Sequence, residues 1–349
     1  MLEIKDVTFS TWAILFTTAC FANLLGLNLS AGLNSVVAIY ILIPLLLIPQ
    51  LLLSGVIIDF NKMHNSLNSY ERTPLIGDAM TSRWAYEALA VNLYKNNDYR
   101  KHLFEEEVRK NEFGFKAFYL VPELDKYLAS YQSFKENNQQ EKAASVVPLL
   151  ENSFNDLTAE ITPSNDSVIW AIEQVGTNTF NQNAVSILSD YLDYATEEYK
   201  GQYNRANNAR EQKYMQVLSR FDNDPEKLKD FKDRHTNGKL EEITRDKYSA
   251  NKIYITDNRI YQGDEPIYRK PVNKNGTAHF YSAYKYIGNW KFDTLLFNIL
   301  VIWFFTFLLM VALYFDVLNK VLTYIERWRL NRQAQLRDRI FYNPMSFIK

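Results

Sequence analysis

Cys20 is the only cysteine among 349 residues. No disulfide can form within the chain, so any domain it carries outside a cell must be held by its own core. That is ordinary for a bacterial envelope protein. Histidine is almost as scarce: His64, His102, His235 and His279 are scattered, and none has the i,i+4 spacing of a helical metal pair. No stretch matches a phosphate-binding glycine loop, a dinucleotide turn, a zinc-protease helix or a nucleophile elbow. The carboxylate run Glu105-Glu106-Glu107 lacks a partner motif and reads as a solvated helix face. These absences exclude the recognisable enzyme classes. Neither a catalytic residue nor a cofactor or metal site is expected in this chain.

A more telling absence is charge. From Val7 to Ile58 there is no Asp, Glu, Lys, Arg or His, and from Thr294 to Phe315 there is none either. About 20 uncharged residues cross a bilayer core of about 30 Å as a helix. The first stretch is long enough for two crossings and a turn, and the second fits one. A soluble core helix would keep a polar face, so the chain is expected to be an integral membrane protein. The opening Met1-Leu2-Glu3-Ile4-Lys5-Asp6 has no positive excess, and no small-residue cleavage site follows. It reads as the approach to a span and not as a cleaved leader.

The first stretch divides where Asn, Ser and Gly cluster, between Leu27 and Ser35. Two helices are expected, Phe9–Leu27 and Asn34–Val56, the second kinked by Pro44 and Pro49. The carbonyls freed by the prolines need partners in lipid, which argues for packing against other helices. Asn23, Asn34, Gln50 and Ser54 are the polar residues of interest here. Structural glue between helices is the commoner role for such side chains, and lining a pathway is the other. The third span is aromatic-rich, with Trp290 and Tyr314 near its ends as interfacial residues should be. Beyond it lie seven Lys or Arg against Glu326 and Asp338. The positive-inside rule then makes the tail cytoplasmic and the central segment extracytoplasmic.

The central segment, Asp59–Asp293, holds 31 basic and 35 acidic residues, which gives no reason to expect a nucleic-acid partner. Glycine and proline are sparse. Ser82–Tyr94 and Ala184–Tyr199 have helical periodicity, with Arg83 and Glu87 set four apart as a helix-surface pair. Asp224-Pro225-Glu226 reads as a helix start. Short apolar runs around Asn258 and Gly263 predict one small β element. The expected fold is therefore a mainly α membrane protein. It has a helical hairpin over 1–58, a mostly helical extracytoplasmic domain over 59–291, a third transmembrane helix over 292–316 and a basic tail over 317–349.

Cys20-Phe21-Ala22-Asn23-Leu24-Leu25-Gly26-Leu27 and Ile43-Pro44-Leu45-Leu46-Leu47-Ile48-Pro49-Gln50, with Leu51-Leu52-Leu53-Ser54-Gly55 after it, resemble the fourth and fifth membrane helices of G-subfamily (white-type) ABC exporters. Met80-Thr81-Ser82-Arg83-Trp84-Ala85-Tyr86-Glu87-Ala88-Leu89 resembles the outer-side helix that follows the fifth span there. Asp264-Glu265-Pro266-Ile267-Tyr268, Ala278-His279-Phe280 and Tyr314-Phe315-Asp316 look like a Bacteroidetes-type branch with a long extracytoplasmic insertion before the last helix. The resemblance implies the C-terminal part of an ABC-2 type permease in the bacterial inner membrane. The ATP-binding domain and the first three helices have no counterpart in this sequence. It therefore also implies an ATP-binding domain that supplies ATP and Mg²⁺ chemistry and the remaining transmembrane helices, either on a separate partner chain or on a missing N-terminal region, together with a homodimeric assembly and contact with membrane lipids. Asn23, Asn34, Gln50 and Ser54 would then be pathway-lining. An envelope receptor or scaffold with a ligand-binding outer domain fits the same topology.

Overall fold

The computed structural model describes residues 6–33, 35–57, 60, 71–163, 166–175, 181–246 and 251–342. Helix is the dominant element, as expected. The chain enters α1 (Thr8–Gly32), turns, and continues in α2 (Val36–Leu52), whose first turn is capped when Ser35 Oγ accepts from Ala38 N. The turn is shorter than the sequence suggests, because α1 runs on through Asn28 to Gly32. The Asn28 side chain explains this. Its amide donates to Leu24 O (2.8 Å) and to Leu309 O (2.9 Å), so the polar group is satisfied inside the helical packing and has no need of a turn.

A single turn, α3 (Leu75–Asp78), leads into α4 (Thr81–Lys95). Next come α5 (Phe104–Phe115) and α6 (Val121–Glu136), joined by a π-helical turn, Lys116–Leu120. They are followed by α7 (Gln140–Glu160), α8 (Ser167–Val175) and α9 (Gln182–Ser219). The 38 residues of α9 span about 57 Å at 1.5 Å per residue. Two short helices, α10 (Pro225–His235) and α11 (Gly238–Arg245), start at Asp224 and Asn237, whose side chains cap the first turns.

The expected β element is a hairpin, β1 (Ile253–Thr256) and β2 (Arg259–Gln262), in the register Tyr254↔Tyr261. Its turn residues Asp257 and Asn258 both have positive φ, as a tight two-residue hairpin requires. A second hairpin was not expected: β3 (Tyr284–Ile287) and β4 (Trp290–Asp293), turning at Gly288. The chain closes with α12 (Thr294–Tyr314) and α13 (Val317–Tyr342).

Contacts divide the chain into two compact units. One comprises Met1–Thr8, His64–Thr73 and Ala90–Thr294; the other comprises Phe9–Met63, Pro74–Leu89 and Leu295–Lys349. The first unit has a conventional core. Leu124 and Leu128 of α6, Leu150 and Phe154 of α7, Ala171 of α8, and Leu188, Leu192 and Ala195 of α9 are all at most 2% exposed. These α9 positions recur every third or fourth residue, the stripe that one face of a helix presents. Truncating a core leucine there costs about 2–5 kcal/mol. A smaller cluster of Tyr99, Leu103, Val217, Leu218 and Leu228 ties the far end of α9 to α10.

The second unit is different in kind. Two of its helices, α1 and α12, are long and apolar enough to cross a membrane, whereas α2, with 17 residues, is shorter. Large apolar side chains lie on the outside of all three, among them Phe9, Tyr40, Leu45, Leu51, Leu300 and Phe304. In water such a surface would aggregate; in a bilayer it faces lipid tails. The chain is a membrane protein. The basic segment after the last apolar helix is itself helical, and Arg332 stacks on Trp328 in it at 5.0 Å.

Candidate functional site

The unit that carries the apolar helices also contains a buried set of charges on α3 and α4. Arg83 and Glu87 are both fully buried, and Arg83 Nη1 donates to Glu87 Oε2 at 3.1 Å across one helical turn. On its other side Arg83 Nη2 lies 2.7 Å from Asp78 Oδ1, as an ion pair and not as an aligned hydrogen bond. The guanidinium carbon lies 3.5 Å from the centroid of the Trp84 ring, a cation–π contact strengthened by desolvation. Burial pulls the Arg83 guanidinium below its ordinary pKa, and Glu87 and Asp78 offset only part of that.

The set is completed from α12. Asn298, also fully buried, donates its amide to Glu87 Oε2 (2.9 Å) and to Trp84 O (3.0 Å). The neighbouring carboxylate fixes which way this amide points, since its oxygen facing Glu87 would repel it. Asn298 Oδ1 is left buried with no hydrogen-bond partner among the described residues. An apolar helix is thereby fastened to α4 through a hydrogen bond to a charged acceptor, the stronger class of such bonds. Trp84 adds a ring contact to Phe297 at 6.1 Å.

The polar residues singled out from the sequence fare differently from one another. Gln50, near the end of α2, reaches the start of α4. Its side-chain oxygen accepts from Ser82 N (3.1 Å), and Ser82 Oγ donates to the Gln50 carbonyl. The first N–H groups of a helix have no partner within the helix, and Gln50 supplies one from outside. Ser54 is buried; it donates to Leu51 O (2.7 Å) and accepts from Val56 N (3.2 Å), which closes off α2 just before Gly55 at φ 85°. Asn23 is exposed on α1 and is not part of either arrangement. Asn34 lies outside the described residues. Asp78 and Asn298 were not singled out, and Arg83 and Glu87 were expected as a helix-surface pair, whereas both are buried. The signals were an i,i+4 charge pair flanked by Trp84 and Ala88, and one asparagine inside an otherwise apolar helix.

Two clefts stand out among the described residues of the other unit. One, of about 430 Å³, lies between α5, the π-helical turn, α9 and the segment after β2. The second, of about 630 Å³, has Leu120, Leu124, Leu157 and Ile260 among its lining, with Lys116, Arg259 and Lys270 around it. Between α5 and the turn at Pro266–Tyr268 runs a buried network. Tyr268 donates to Glu107 (2.6 Å), accepts from Arg100 (3.1 Å) and lies 2.6 Å from Tyr94 Oη, while Arg100 also meets Glu241 (2.6 Å). Burial pushes the Tyr268 hydroxyl well above its ordinary pKa, so it stays protonated and can donate. His279 is buried and held well below its ordinary pKa, chiefly by desolvation and then by Arg269; it is neutral, with Nε2 2.8 Å from Pro266 O.

Among the described residues, one group of side chains could ligate a cation: Asp6, Asp98 and His235. His235 Nδ1 already lies 2.6 Å from Asp6 Oδ2, and Asp98 N donates to the same oxygen at 3.2 Å. The group is therefore satisfied as a His–Asp pair with a backbone donor.

Among known proteins, residues 2–94 match the ABC-2 type transporter family. No curated protein and no solved structure matches the chain. The matched segment contains α1, α2, α3 and all but the last residue of α4, and with them every polar group of the buried set except Asn298.

Proposed function

We propose that this chain supplies the C-terminal part of the permease of an ATP-driven ABC exporter of the G-subfamily type. The observation that carries this reading is the ABC-2 match over 2–94, which falls on two apolar helices followed by the Arg83–Glu87 helix. Permeases of this kind move substrate between two helical arrangements driven by ATP-binding partners. An ATP-binding domain and further transmembrane helices, on a separate chain or on an N-terminal region of the same protein, would act with it, and two copies of the assembly would complete the pathway. ATP and Mg²⁺ would bind in that domain, and this chain would perform no chemistry of its own.

In this reading α1, α2 and α12 are the three spans, α2 being short enough to need local thinning of the bilayer or its proline kinks. The arginines of α13 support a cytoplasmic C-terminus in a bacterium, by the positive-inside rule, and the central domain, 59–291, would then be periplasmic. Asn23 is the exposed candidate for the pathway wall. Gln50 and Ser54 hold the end of α2 and the start of α4 in place. The buried Arg83 set braces α4 against the last span, so that a movement of one carries the other.

The test is affinity purification of the tagged chain from native membranes solubilised in mild detergent, followed by mass spectrometry. Recovery of an ATP-binding protein with about three apolar spans, in near-equal amount, supports the reading. Recovery of the chain alone overturns it. The two clefts of the Ala90–Thr294 unit favour a second reading, an envelope receptor or scaffold, and the same experiment returns a signalling protein in that case.

A further inference from the structure

Phe118 and Tyr119 are adjacent, 49% and 42% exposed, and both line the 430 Å³ cleft. Neighbouring aromatics are normally hidden, because each ring has a large apolar area to remove from water. What places them together is the π-helical turn Lys116–Leu120, set within an otherwise continuous run of helix from Phe104 to Glu136. A π-helical turn is rare and concentrates at functional sites, because the extra residue redirects the side chains that follow. Tyr203 of α9 closes the apolar side, with its ring edge-on to Phe118 at 5.3 Å and 84°. Gly114 keeps the floor open there: a Cβ at this position would come within 3.2 Å of the Tyr203 ring.

Polar groups face these rings. Their chemistry decides what the cleft can hold. The charged lining is balanced: Glu107, Asp264 and Glu265 against Lys110, Arg210 and Arg245. Nearly all of it is already paired. Arg245 meets Glu265 at 2.5 Å, Asp264 meets Lys252 at 2.6 Å, and Glu107 is engaged by Tyr268 and Arg100. Asn111 and Gln262 bond to each other at 3.2 Å. Among the described residues, Lys110 is the lining cation with no carboxylate in ion-pair reach; its ammonium is 5.7 Å from the Tyr203 ring. A cationic ligand would have to break these pairs and leave a charge unmatched, and an anionic one would meet Lys110 but also the lining carboxylates Glu107, Asp264 and Glu265. A neutral ligand need not, because paired carboxylates, amides and guanidinium groups keep spare lone pairs and N–H bonds.

We propose that this cleft is a binding site for a neutral saccharide. Its pyranose C–H faces would lie on Phe118, Tyr119 and Tyr203. Its hydroxyls would exchange hydrogen bonds with Asn111, Gln262 and the paired carboxylates. The cleft volume suits one or two sugar rings. The assignment is independent of transport, since it uses only groups within the Ala90–Thr294 unit.

The experiment is saturation-transfer difference NMR on the full chain in a detergent without a sugar headgroup. The probes are maltose, cellobiose and N,N′-diacetylchitobiose, with glucuronic acid and tetra-alanine as the charged and peptide alternatives. The expected result is saturable transfer to the ring C–H protons of at least one disaccharide in the millimolar range. Phe118→Ala should weaken it roughly tenfold, the equivalent of about 1.4 kcal/mol. That side chain is half exposed, so the variant keeps its fold, checked by circular dichroism. Gly114→Leu, which fills the floor, should abolish it, and Lys110→Ala should change it less than about twofold. Transfer to none of the disaccharides overturns the proposal. So does transfer only to glucuronic acid or tetra-alanine, or disaccharide binding that Phe118→Ala and Gly114→Leu both leave intact.

Discussion

The buried charges around Arg83 make a sharp prediction. In Arg83→Met the cation disappears while Glu87, fully buried and accepting from Asn298 at 2.9 Å, keeps its carboxylate in a place without water. Removing one partner of a buried ion pair costs about 3–5 kcal/mol, because the remaining charge has lost its compensation. In Glu87→Gln the loss is smaller, about 1–3 kcal/mol: Arg83 still has Asp78 at 2.7 Å, and the new amide can still accept from Asn298. The double variant Arg83→Met/Glu87→Leu removes both charges, and Asp78, with 20% of its side chain exposed, can turn to water. It should be at least about 1 kcal/mol less destabilised than Arg83→Met alone.

Global unfolding is a poor readout for a chain of two units, so the local opening of α4 is the quantity to measure. Amide hydrogen exchange of a peptide covering residues 78–90, in detergent at neutral pH, reports it directly. A loss of 3–5 kcal/mol corresponds to exchange faster by roughly two to three and a half orders of magnitude, at 1.4 kcal/mol per factor of ten. Peptides from α7 and α9 serve as the internal control and should not change. If Arg83→Met exchanges within a factor of about two of wild type, as a surface substitution would, the buried ion pair does not hold α4. If the double variant is as damaged as the single one, uncompensated charge is not the cause of the damage.

Three further outcomes follow from other parts of the molecule. Asn28→Leu removes the bond to Leu309 O and should lower the thermal stability of the apolar helices by about 1 kcal/mol, read as a lower temperature for loss of the monodisperse peak in detergent; an unchanged temperature refutes the bridge. Burial pushes Glu241 up, but Arg100 and Arg245 outweigh it and hold its carboxyl below the ordinary value. The stability this gives is fully present above the unfolded pKa of about 4.3 and is lost as pH falls through the lower folded one. Glu241→Gln should therefore be destabilising at pH 7, with the difference from wild type shrinking below about pH 4, as followed by amide hydrogen exchange of a peptide covering α11. Gly263→Ala sets a Cβ 2.3 Å from Asn251 O and 2.6 Å from the Tyr254 ring; it should open the β1–β2 hairpin to limited proteolysis, and an unchanged digestion pattern would count against that packing.

The apolar segments and the helical character of the chain were legible in the sequence because they rest on strong local signals. Absence of charge over Val7–Ile58 and Thr294–Phe315 needs no tertiary information. The hairpin around Asp257-Asn258 was legible for the same reason, its turn residues being those that tolerate positive φ. The limits of α1 were not. Asn28 looks like a turn residue by composition, and only the carbonyl of Leu309, 281 positions away, makes it a helix residue. Likewise the hairpin at Gly288 precedes an apolar helix and has few residues, two of which, Trp290 and Tyr284, read equally well as interfacial aromatics.

Arg83 and Glu87 show where pattern reading gives the right contact and the wrong environment. Spacing of four correctly pairs them along α4, and for an exposed helix that pair would contribute only about 0.3–0.5 kcal/mol. Burial changes the same contact from a minor surface term into a structural necessity, because each charge now depends on the other. Burial here comes from Asn298, Trp84 and the rest of that unit's packing, and Asn298 is 211 residues from Glu87. A single sequence holds the pair but not the partner that encloses it. A chain that keeps a fully buried guanidinium between two carboxylates therefore forgoes the apolar alternative, which would be at least as stable. The retained charges make α4 and the last apolar helix selective for one register, since a shift of one residue would leave Asn298 facing an apolar side chain and Glu87 without its donor. That is the property required of helices that must move as a pair, and it ties the Arg83 set to the transport reading more closely than any polar residue on α1 or α2 does.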